Sequence, residues 1–237
     1  MSTVHRAVIK DNCEQILGRI AAACARVKRP PQSVTLVCVA KDRTQDEIRQ
    51  VLAAGVLDIG ENRVQEARVH CQEFALPGTR LRPLRVHMVG HLQTNKVPEA
   101  LRMFDLIHSL DSLHLAEAIE RQASGCSKTQ DVLIEVNTSN EKGKYGVAPA
   151  GLVELSQSVV GMPHIRLQGL MTVAAAVDDP EQARPYFRQL RRLLAGLNEL
   201  HIVDYELRVL SMGMSNDFEV AIEEGATLLR IGRAFFS

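Results

Sequence analysis

Short apolar runs recur along the chain, and most of them precede a stretch in which apolar residues are spaced by three and four. The runs are rich in Val, Ile and Leu, as the buried strands of a parallel sheet are. Each of the first seven runs is followed by a helical pattern. We therefore predict eight strands, at residues 34–40, 57–61, 84–90, 106–110, 131–137, 165–173, 205–213 and 226–232.

A further helical pattern precedes the first strand, at about residues 3–27. In the helical pattern at 180–200, Pro185 predicts that the helix starts or bends near that residue. Eight strand–helix units in 237 residues, with no linker-like tract, predict a single α/β domain over residues 1–237. The expected architecture is a closed (β/α)8 TIM-type barrel with an extra N-terminal helix. A doubly wound open sheet is the alternative.

Charge and composition exclude several classes of function. The 28 Lys and Arg residues balance the 28 Asp and Glu residues, so no global field attracts nucleic acid or an anionic membrane. No run approaches the roughly 20 apolar residues of a spanning helix, and the N-terminal segment has no apolar signal-peptide region, which predicts a cytoplasmic protein. The cysteines form no C-x-x-C pair and are expected to be reduced thiols: Cys13, Cys24, Cys38, Cys71 and Cys126.

The first predicted strand ends on a lysine. In the segment LVCVAKDRT, residues 36–44, an apolar run leads directly into Lys41. Barrels of this type carry their functional residues at the carboxyl ends of the strands. Either the Lys41 stem packs and its ammonium reaches water, or the amine forms an imine with a carbonyl compound. Position alone favours neither interpretation.

The last two strands add candidate anion-binding residues. The segment LSMGMSND, residues 210–217, places Ser211 and Gly213 before a polar helix start, and Arg230 and Gly232 share one face of the eighth strand. Glycine lets backbone amides approach an anion, and a helix N-terminus adds partial positive charge. Because closure brings strand eight beside strand one, we expect Arg230 beside Lys41. Ser211, Gly213 and Gly232 should then surround the usual phosphate position.

A lysine, an arginine and a phosphate site at one barrel mouth suit pyridoxal 5′-phosphate (PLP). Its aldehyde would form an imine with Lys41, and Arg230 would face the pyridine nitrogen and hold it unprotonated, because an arginine stays charged. A class I aldolase acting on a phosphorylated sugar would use the same lysine. A purely structural ion pair of Arg230 within the barrel is the other alternative.

Several segments, in this order, resemble the pyridoxal phosphate homeostasis protein family. The resemblance covers nearly the whole chain, and the combination is far more specific than any one motif. The segments are LVCVAK (36–41), DIGENRVQEA (58–67), HMVGHLQTNK (87–96), IHSLDS (107–112), VLIEVNTSNEKGKYGV (132–147), LQGLMTV (167–173) and LSMGMSNDFEVAIEEGATLLRIG (210–232).

The resemblance implies a barrel like the N-terminal domain of alanine racemase, without the second domain that completes the racemase site. It also implies that Lys41 is the imine lysine, that Asn62 lies near the cofactor and that Arg230 lies near the pyridine ring. Ser211, Gly213 and Gly232 would form the phosphate site. The chain departs mildly from the family at VAKDRT, where a serine often precedes the lysine, and at Arg63, where an aromatic residue is common.

Two functions follow from this resemblance. The first is a PLP carrier and regulator in vitamin B6 homeostasis, a monomer or weak dimer with no catalytic residues, whose partners are PLP and PLP-dependent apoenzymes. The second is an amino-acid racemase, which needs acid–base groups on both faces of the substrate, whereas Lys41 serves one face only.

Two further pairs of residues predict less. His87 and His91 are four residues apart, but no third ligand accompanies them, so no metal site is predicted. Lys142 and Lys144 are expected in a solvated loop after the fifth strand, and a rim site for phosphate-bearing ligands is the alternative.

Overall fold

A computed structural model describes residues 3–74 and 84–237, with side chains for 8–70 and 84–237. Eight parallel strands pair in chain order and close on themselves, β8 beside β1. The predicted (β/α)8 barrel is therefore confirmed, and the open sheet is excluded. The strands are β1 Thr35–Val39, β2 Asp58–Glu61, β3 Arg85–Met88, β4 Leu106–Leu110, β5 Gln130–Glu135, β6 Ile165–Met171, β7 Val209–Ser211 and β8 Leu228–Ile231.

Helices surround the barrel, and the predicted N-terminal helix is present. The helices are α1 Thr3–Arg26, α2 Gln45–Ala53, α3 Val64–Phe74, α4 Val97–Met103, α5 Leu113–Gly125, α6 Leu152–Val160, α7 Arg184–Glu199, α8 Phe218–Glu223 and α9 Arg233–Phe236. Pro185 lies in the first turn of α7, where its missing N–H is tolerated, so the predicted helix start is correct. No helix in the described part of the chain is long and apolar enough to cross a membrane.

The strand alternation separates two apolar layers. Val37, Leu106, Leu133, Met171 and Leu228 meet inside the barrel. Residues of the opposite strand face, such as Cys38 and Ile231, pack in the larger core that includes helix residues. Burial raises the pKa of the Cys38 thiol well above its usual value, so Cys38 packs as a small hydrophobic residue rather than as a reactive thiolate.

The cysteine thiols in the described residues form no disulfide bond. Cys13, Cys24, Cys38 and Cys126 are free thiols, as predicted, whereas the side chain of Cys71 lies outside the described residues. The single domain stays a prediction.

Helix α1 holds the elements that follow the last two strands. Arg19 donates a 2.8 Å hydrogen bond to Glu219 of α8, and Arg26 donates one of 2.6 Å to Glu223. Asn12 donates to the carbonyl oxygens of Phe235 and Ser237, at 3.1 and 2.9 Å. The extra helix thus anchors α8 and α9, and with them the loops at the carboxyl ends of β7 and β8.

One strand is shorter than its pattern predicts. Strand β7 covers Val209–Ser211, whereas the apolar run indicated 205–213. Before the strand, the Tyr205 hydroxyl donates to Leu167 O at 2.8 Å, and Leu207 N donates to Asn198 Oδ1 at 2.9 Å. These side-chain hydrogen bonds tie Tyr205 to β6 and Leu207 to α7 outside the strand pairing, which apolar periodicity cannot reveal.

Candidate functional site

Lys41 lies on a tight turn between β1 and α2. Asp42 adopts a left-handed backbone conformation with φ +58°. Helix α2 then begins with a capping box, in which Thr44 Oγ1 accepts from Glu47 N and Glu47 Oε2 accepts from Thr44 N. The backbone that carries Lys41 is therefore fixed on both sides.

The Lys41 side chain itself is accessible. It is 48% exposed, and Nζ lies 3.9 Å from Asp42 Oδ2. It borders a cavity of about 820 Å³, which we call the lysine cavity. The other residues that line this cavity are Asn62, Arg63, Val64, Gln65, Glu66, Met88, Gly90, His91, Leu92, Gln93, Lys96 and Tyr145.

Asn62 is positioned by a close backbone approach. A Cβ atom on Gly90 would lie 2.4 Å from Asn62 O and 2.9 Å from Asn62 Cα, so only glycine fits there without a shift. Nearby, the rings of His91 and Tyr145 stack at 3.9 Å, and His91 Nδ1 lies 3.4 Å from Asp111 Oδ2. Asn62 and Lys41 therefore border the same cavity.

Arg230 is buried on β8 and held by two hydrogen bonds. Nη1 donates to Ser211 Oγ at 2.6 Å, and Nη2 donates to the Thr172 carbonyl oxygen at 2.8 Å. The residue is only 5% exposed. Burial lowers the pKa of its guanidinium to about 10, so Arg230 remains charged at neutral pH.

Arg230 and Gly232 border a second cavity of about 530 Å³, which we call the arginine cavity. Its other lining residues are Val39, Glu141, Lys144, Val173, Ala174, Ala175, Ala176, Val177, Met214, Ser215, Asn216, Asp217 and Arg233. A Cβ atom on Gly232 would touch Val39 at 3.5 Å, and Val39 is two residues before Lys41. The arginine cavity therefore contacts the last residue of β1, Val39, and the lysine cavity contacts Lys41, two residues further along the chain.

Ser211 and Gly213 do not line the arginine cavity. Ser211 is fully buried, and its hydroxyl contacts Arg230 and His108. Gly213 has φ +95°, and a Cβ atom there would approach Ala221 Cβ to 2.6 Å, so it allows close packing against α8. Of the three residues assigned to the phosphate site by sequence, Gly232 alone borders the arginine cavity.

Ser215 is a candidate that the sequence reasoning missed. The loop before α8 is fixed by Asp217, whose Oδ1 accepts from Met214 N at 2.6 Å. Ser215 Oγ accepts from Ala234 N at 3.3 Å, which joins this loop to α9. Ser215 and Gly232 thus border the cavity where the loops after β7 and β8 meet. The second serine of SMGMS was the available signal, because it falls between the strand and the helix.

Glu135, at the end of β5, is a buried carboxyl group near Arg230. It is 8% exposed, and burial raises the pKa of its carboxyl to about 7. The charge of Arg230 opposes that rise, whereas Asp111 adds to it. Arg230 and Glu135 therefore interact at this end of the barrel, and because both are buried, water screens their interaction little.

The lysines of the loop after β5 differ in exposure. Lys144 borders the arginine cavity, its Nζ lies 2.5 Å from Glu141 Oε2 and donates to Ala174 O at 3.2 Å, whereas Lys142 is exposed.

Within the described ranges, no three His, Cys, Asp or Glu side chains are arranged to hold a metal ion. The two histidines considered for a metal have other contacts, since His87 Nε2 lies 2.9 Å from Asp58 Oδ1 and His91 stacks on Tyr145.

Comparison with known proteins defines the class first. Residues 4–237 match the family "Alanine racemase, N-terminal domain". The chain is 42% identical to the pyridoxal phosphate homeostasis protein of Aquifex aeolicus over 228 residues, which cover 95% of this chain and 96% of that protein. The chain belongs to the pyridoxal phosphate homeostasis protein family, as its motifs indicated.

Solved structures agree with this assignment. PipY of Synechococcus elongatus, solved with PLP bound, is 35% identical with a TM-score of 0.80, covering 94% of this chain and all of PipY. Alanine racemase of Clostridium difficile has a TM-score of 0.75 at 14% identity, covering 95% of this chain but only 56% of the racemase. The second likeness concerns the fold alone.

Proposed function

We propose that this protein binds PLP, holds it as an imine of Lys41 and takes part in intracellular PLP homeostasis without substantial catalytic turnover. The observation that carries the proposal is the buried, hydrogen-bonded Arg230 at the wall of a ligand-sized cavity, next to the strand end that carries Lys41. The PLP bound to PipY, a relative of similar length, supports the choice of cofactor.

The residues present fit the cofactor's chemical groups. When bound, PLP supplies an aldehyde that condenses with a primary amine and releases water, and a ring that withdraws electrons. Lys41 provides an amine that is open to solvent, and Asn62 shares its cavity. Arg230 offers only N–H donors, so it favours an unprotonated ring nitrogen.

The phosphate would bind where the loops after β7 and β8 meet. Gly232 and Ser215 border the arginine cavity there, and the Ser215 hydroxyl can donate to an anion. Gly213 acts indirectly, because its left-handed backbone turns the chain into this loop. Ser211 supports Arg230 rather than the phosphate in this scheme.

Three features favour carriage over turnover. An unprotonated ring is a weak electron sink, the Lys41 side chain is open to water, and one lysine serves one face of a substrate. PLP-dependent apoenzymes are the proposed recipients, and we retain the predicted cytoplasmic location and the monomeric or weakly dimeric state.

The test begins with the purified protein loaded with PLP and freed of excess. We expect an imine absorption band, and after borohydride reduction a pyridoxyl group on the peptide that contains Lys41. Unreduced loaded protein should restore activity to a PLP-dependent apoenzyme and leave D- and L-alanine unchanged. A pyridoxyl group on Lys96 or Lys144 instead would contradict the site. Racemisation at about 1–10³ s⁻¹ would replace the carrier by a racemase.

A further inference from the structure

A continuous hydrogen-bonded chain crosses the barrel interior and ends on Arg230. Asp58 Oδ1 lies 2.9 Å from His87 Nε2, and His87 Nδ1 lies 3.0 Å from His108 Nε2. His108 Nδ1 lies 2.9 Å from Ser211 Oγ, which accepts from Arg230 Nη1 at 2.6 Å. Five strands, β2, β3, β4, β7 and β8, thus contribute one polar side chain each.

Most of this chain is removed from water. His87, His108 and Ser211 are fully buried, and the Asp58 side chain is 19% exposed. Buried polar groups without partners cost free energy, so each member depends on its neighbours for satisfaction. Apolar side chains share the barrel interior with them, including Leu106 on the same strand as His108.

Arg230, at one end of the chain, sets the donor–acceptor direction of each hydrogen bond along it. Arginine only donates, so Ser211 Oγ accepts from Arg230 and its hydroxyl is free to donate to His108 Nδ1. The Nε2–H of His108 then donates to His87 Nδ1, and the Nε2–H of His87 donates to Asp58. In this arrangement each histidine carries one proton and is neutral.

The opposite direction satisfies fewer groups. His108 would donate to Ser211, and the Ser211 hydroxyl proton would have no acceptor among its contacts with the described residues. His87 would also need a second proton to donate to both of its partners. Burial, the neighbouring His87 and the positive charge of Arg230 hold the pKa of His108 well below its usual value, which likewise favours a neutral His108 imidazole.

We infer that Asp58, His87 and His108 are positioning residues, which orient the Ser211 hydroxyl and thereby fix the Arg230 guanidinium at the cofactor cavity. Their relevance to PLP rests on the proposed function. The proton directions are a property of the cofactor-free protein, and they can be tested separately.

The first test is nitrogen NMR on cofactor-free protein with ¹⁵N-labelled histidine. We expect His87 and His108 to be neutral, each protonated at Nε2 and unprotonated at Nδ1. A doubly protonated His87, or a proton on His108 Nδ1, would overturn the inference. This result does not depend on PLP binding, so failure of the proposed function and failure of the chain direction are distinguishable.

The second test uses PLP-loaded variants. His108→Met keeps bulk but cannot accept from Ser211, whereas His108→Gln offers both an acceptor and a donor. We expect His108→Met to shift the absorption maximum and to lose PLP about fivefold faster, as for one weakened hydrogen bond. His108→Gln should restore both values towards those of the unmodified protein.

Ser109→Ala is the matched control on the same strand. Ser109 is buried and its hydroxyl has no hydrogen-bond partner among the described residues, so this variant should behave like the unmodified protein. A folded His108→Met protein with an unchanged spectrum and unchanged PLP loss would overturn the positioning role. If His108→Met does not fold, the same comparison is made with His87→Gln and His87→Met, with the same expected outcomes.

Discussion

The two ends of the candidate site are built in opposite ways. Arg230 is 5% exposed and held by hydrogen bonds from its guanidinium to Ser211 and Thr172. Lys41 is 48% exposed on its side chain, and its recorded ion pair is a 3.9 Å contact with Asp42. One cation is therefore fixed before any ligand arrives, whereas the other is fixed only through its backbone turn.

This contrast suits the proposed carrier, which would hold PLP and also give it up. A preorganised arginine binds one end of the ligand without an ordering cost at that moment. A lysine in contact with solvent can be reached by a competing amine, which exchange with an apoenzyme requires. A site designed for turnover would instead exclude water around the reacting carbon.

The largest expected effect comes from Lys41→Met. Covalent attachment of PLP should be lost completely, because the variant has no amine at this position. The free energy of unfolding should change by no more than about 0.5 kcal/mol, since the side chain is half exposed and its ion pair is weak. Mass mapping after borohydride reduction and urea unfolding measure the two quantities.

Lys96→Met is the control for this change. Lys96 borders the same lysine cavity, so its removal alters the local charge in the same way while leaving Lys41 in place. The control should keep the reduced pyridoxyl label. A label that persists at full stoichiometry in Lys41→Met would show that another lysine holds the cofactor.

Much of the fold, and the strand ends that carry the two cations, could be predicted from the sequence. The eight apolar runs located every strand, because buried parallel strands are apolar on both faces. Lys41, Arg230 and Gly232 follow from strand ends and from the neighbourhood of β1 and β8 in a closed barrel. These inferences need only local pattern and barrel topology.

The depth of a residue in the barrel could not be predicted in the same way. Ser211 pairs in register with Leu228, two residues before Arg230, so it lies beneath the guanidinium and away from the proposed phosphate position. The register between neighbouring strands depends on the stagger of the whole barrel, which no single segment encodes. For the same reason the sequence did not predict the contacts of His108, because its partners His87 and Ser211 lie on strands distant in sequence.

The second expected effect concerns Glu135, the buried carboxyl at the arginine end. Its pKa is raised to about 7 by burial, so the unfolded chain loses this proton at lower pH than the folded protein. The carboxyl therefore destabilises the fold progressively from about pH 4.5 to 7 and by a constant amount above. Glu135→Gln should remove a penalty of at most about 3 kcal/mol at pH 8 and little at pH 4.5.

Urea unfolding across this pH range measures the Glu135 effect. Glu141→Gln is the control, because Glu141 borders the same cavity but is exposed. The control should show no comparable rise in stability between pH 4.5 and 8. Equal stability of Glu135→Gln and the unmodified protein at pH 8 would mean that this carboxyl ionises in the folded protein without cost.

The smallest expected effect separates the two serines. Ser215→Ala should weaken PLP binding by about 1–2 kcal/mol, or roughly five- to thirtyfold, and leave pyridoxal binding unchanged, because pyridoxal has no phosphate. Ser211→Ala should weaken both ligands equally, since Ser211 contacts Arg230 and Arg230 is proposed to face the ring. Equilibrium titration of both ligands measures the ratio. If Ser211→Ala selectively weakens PLP and Ser215→Ala does not, Ser211 contacts the phosphate after all, and the arginine end is less fixed than its hydrogen bonds indicate.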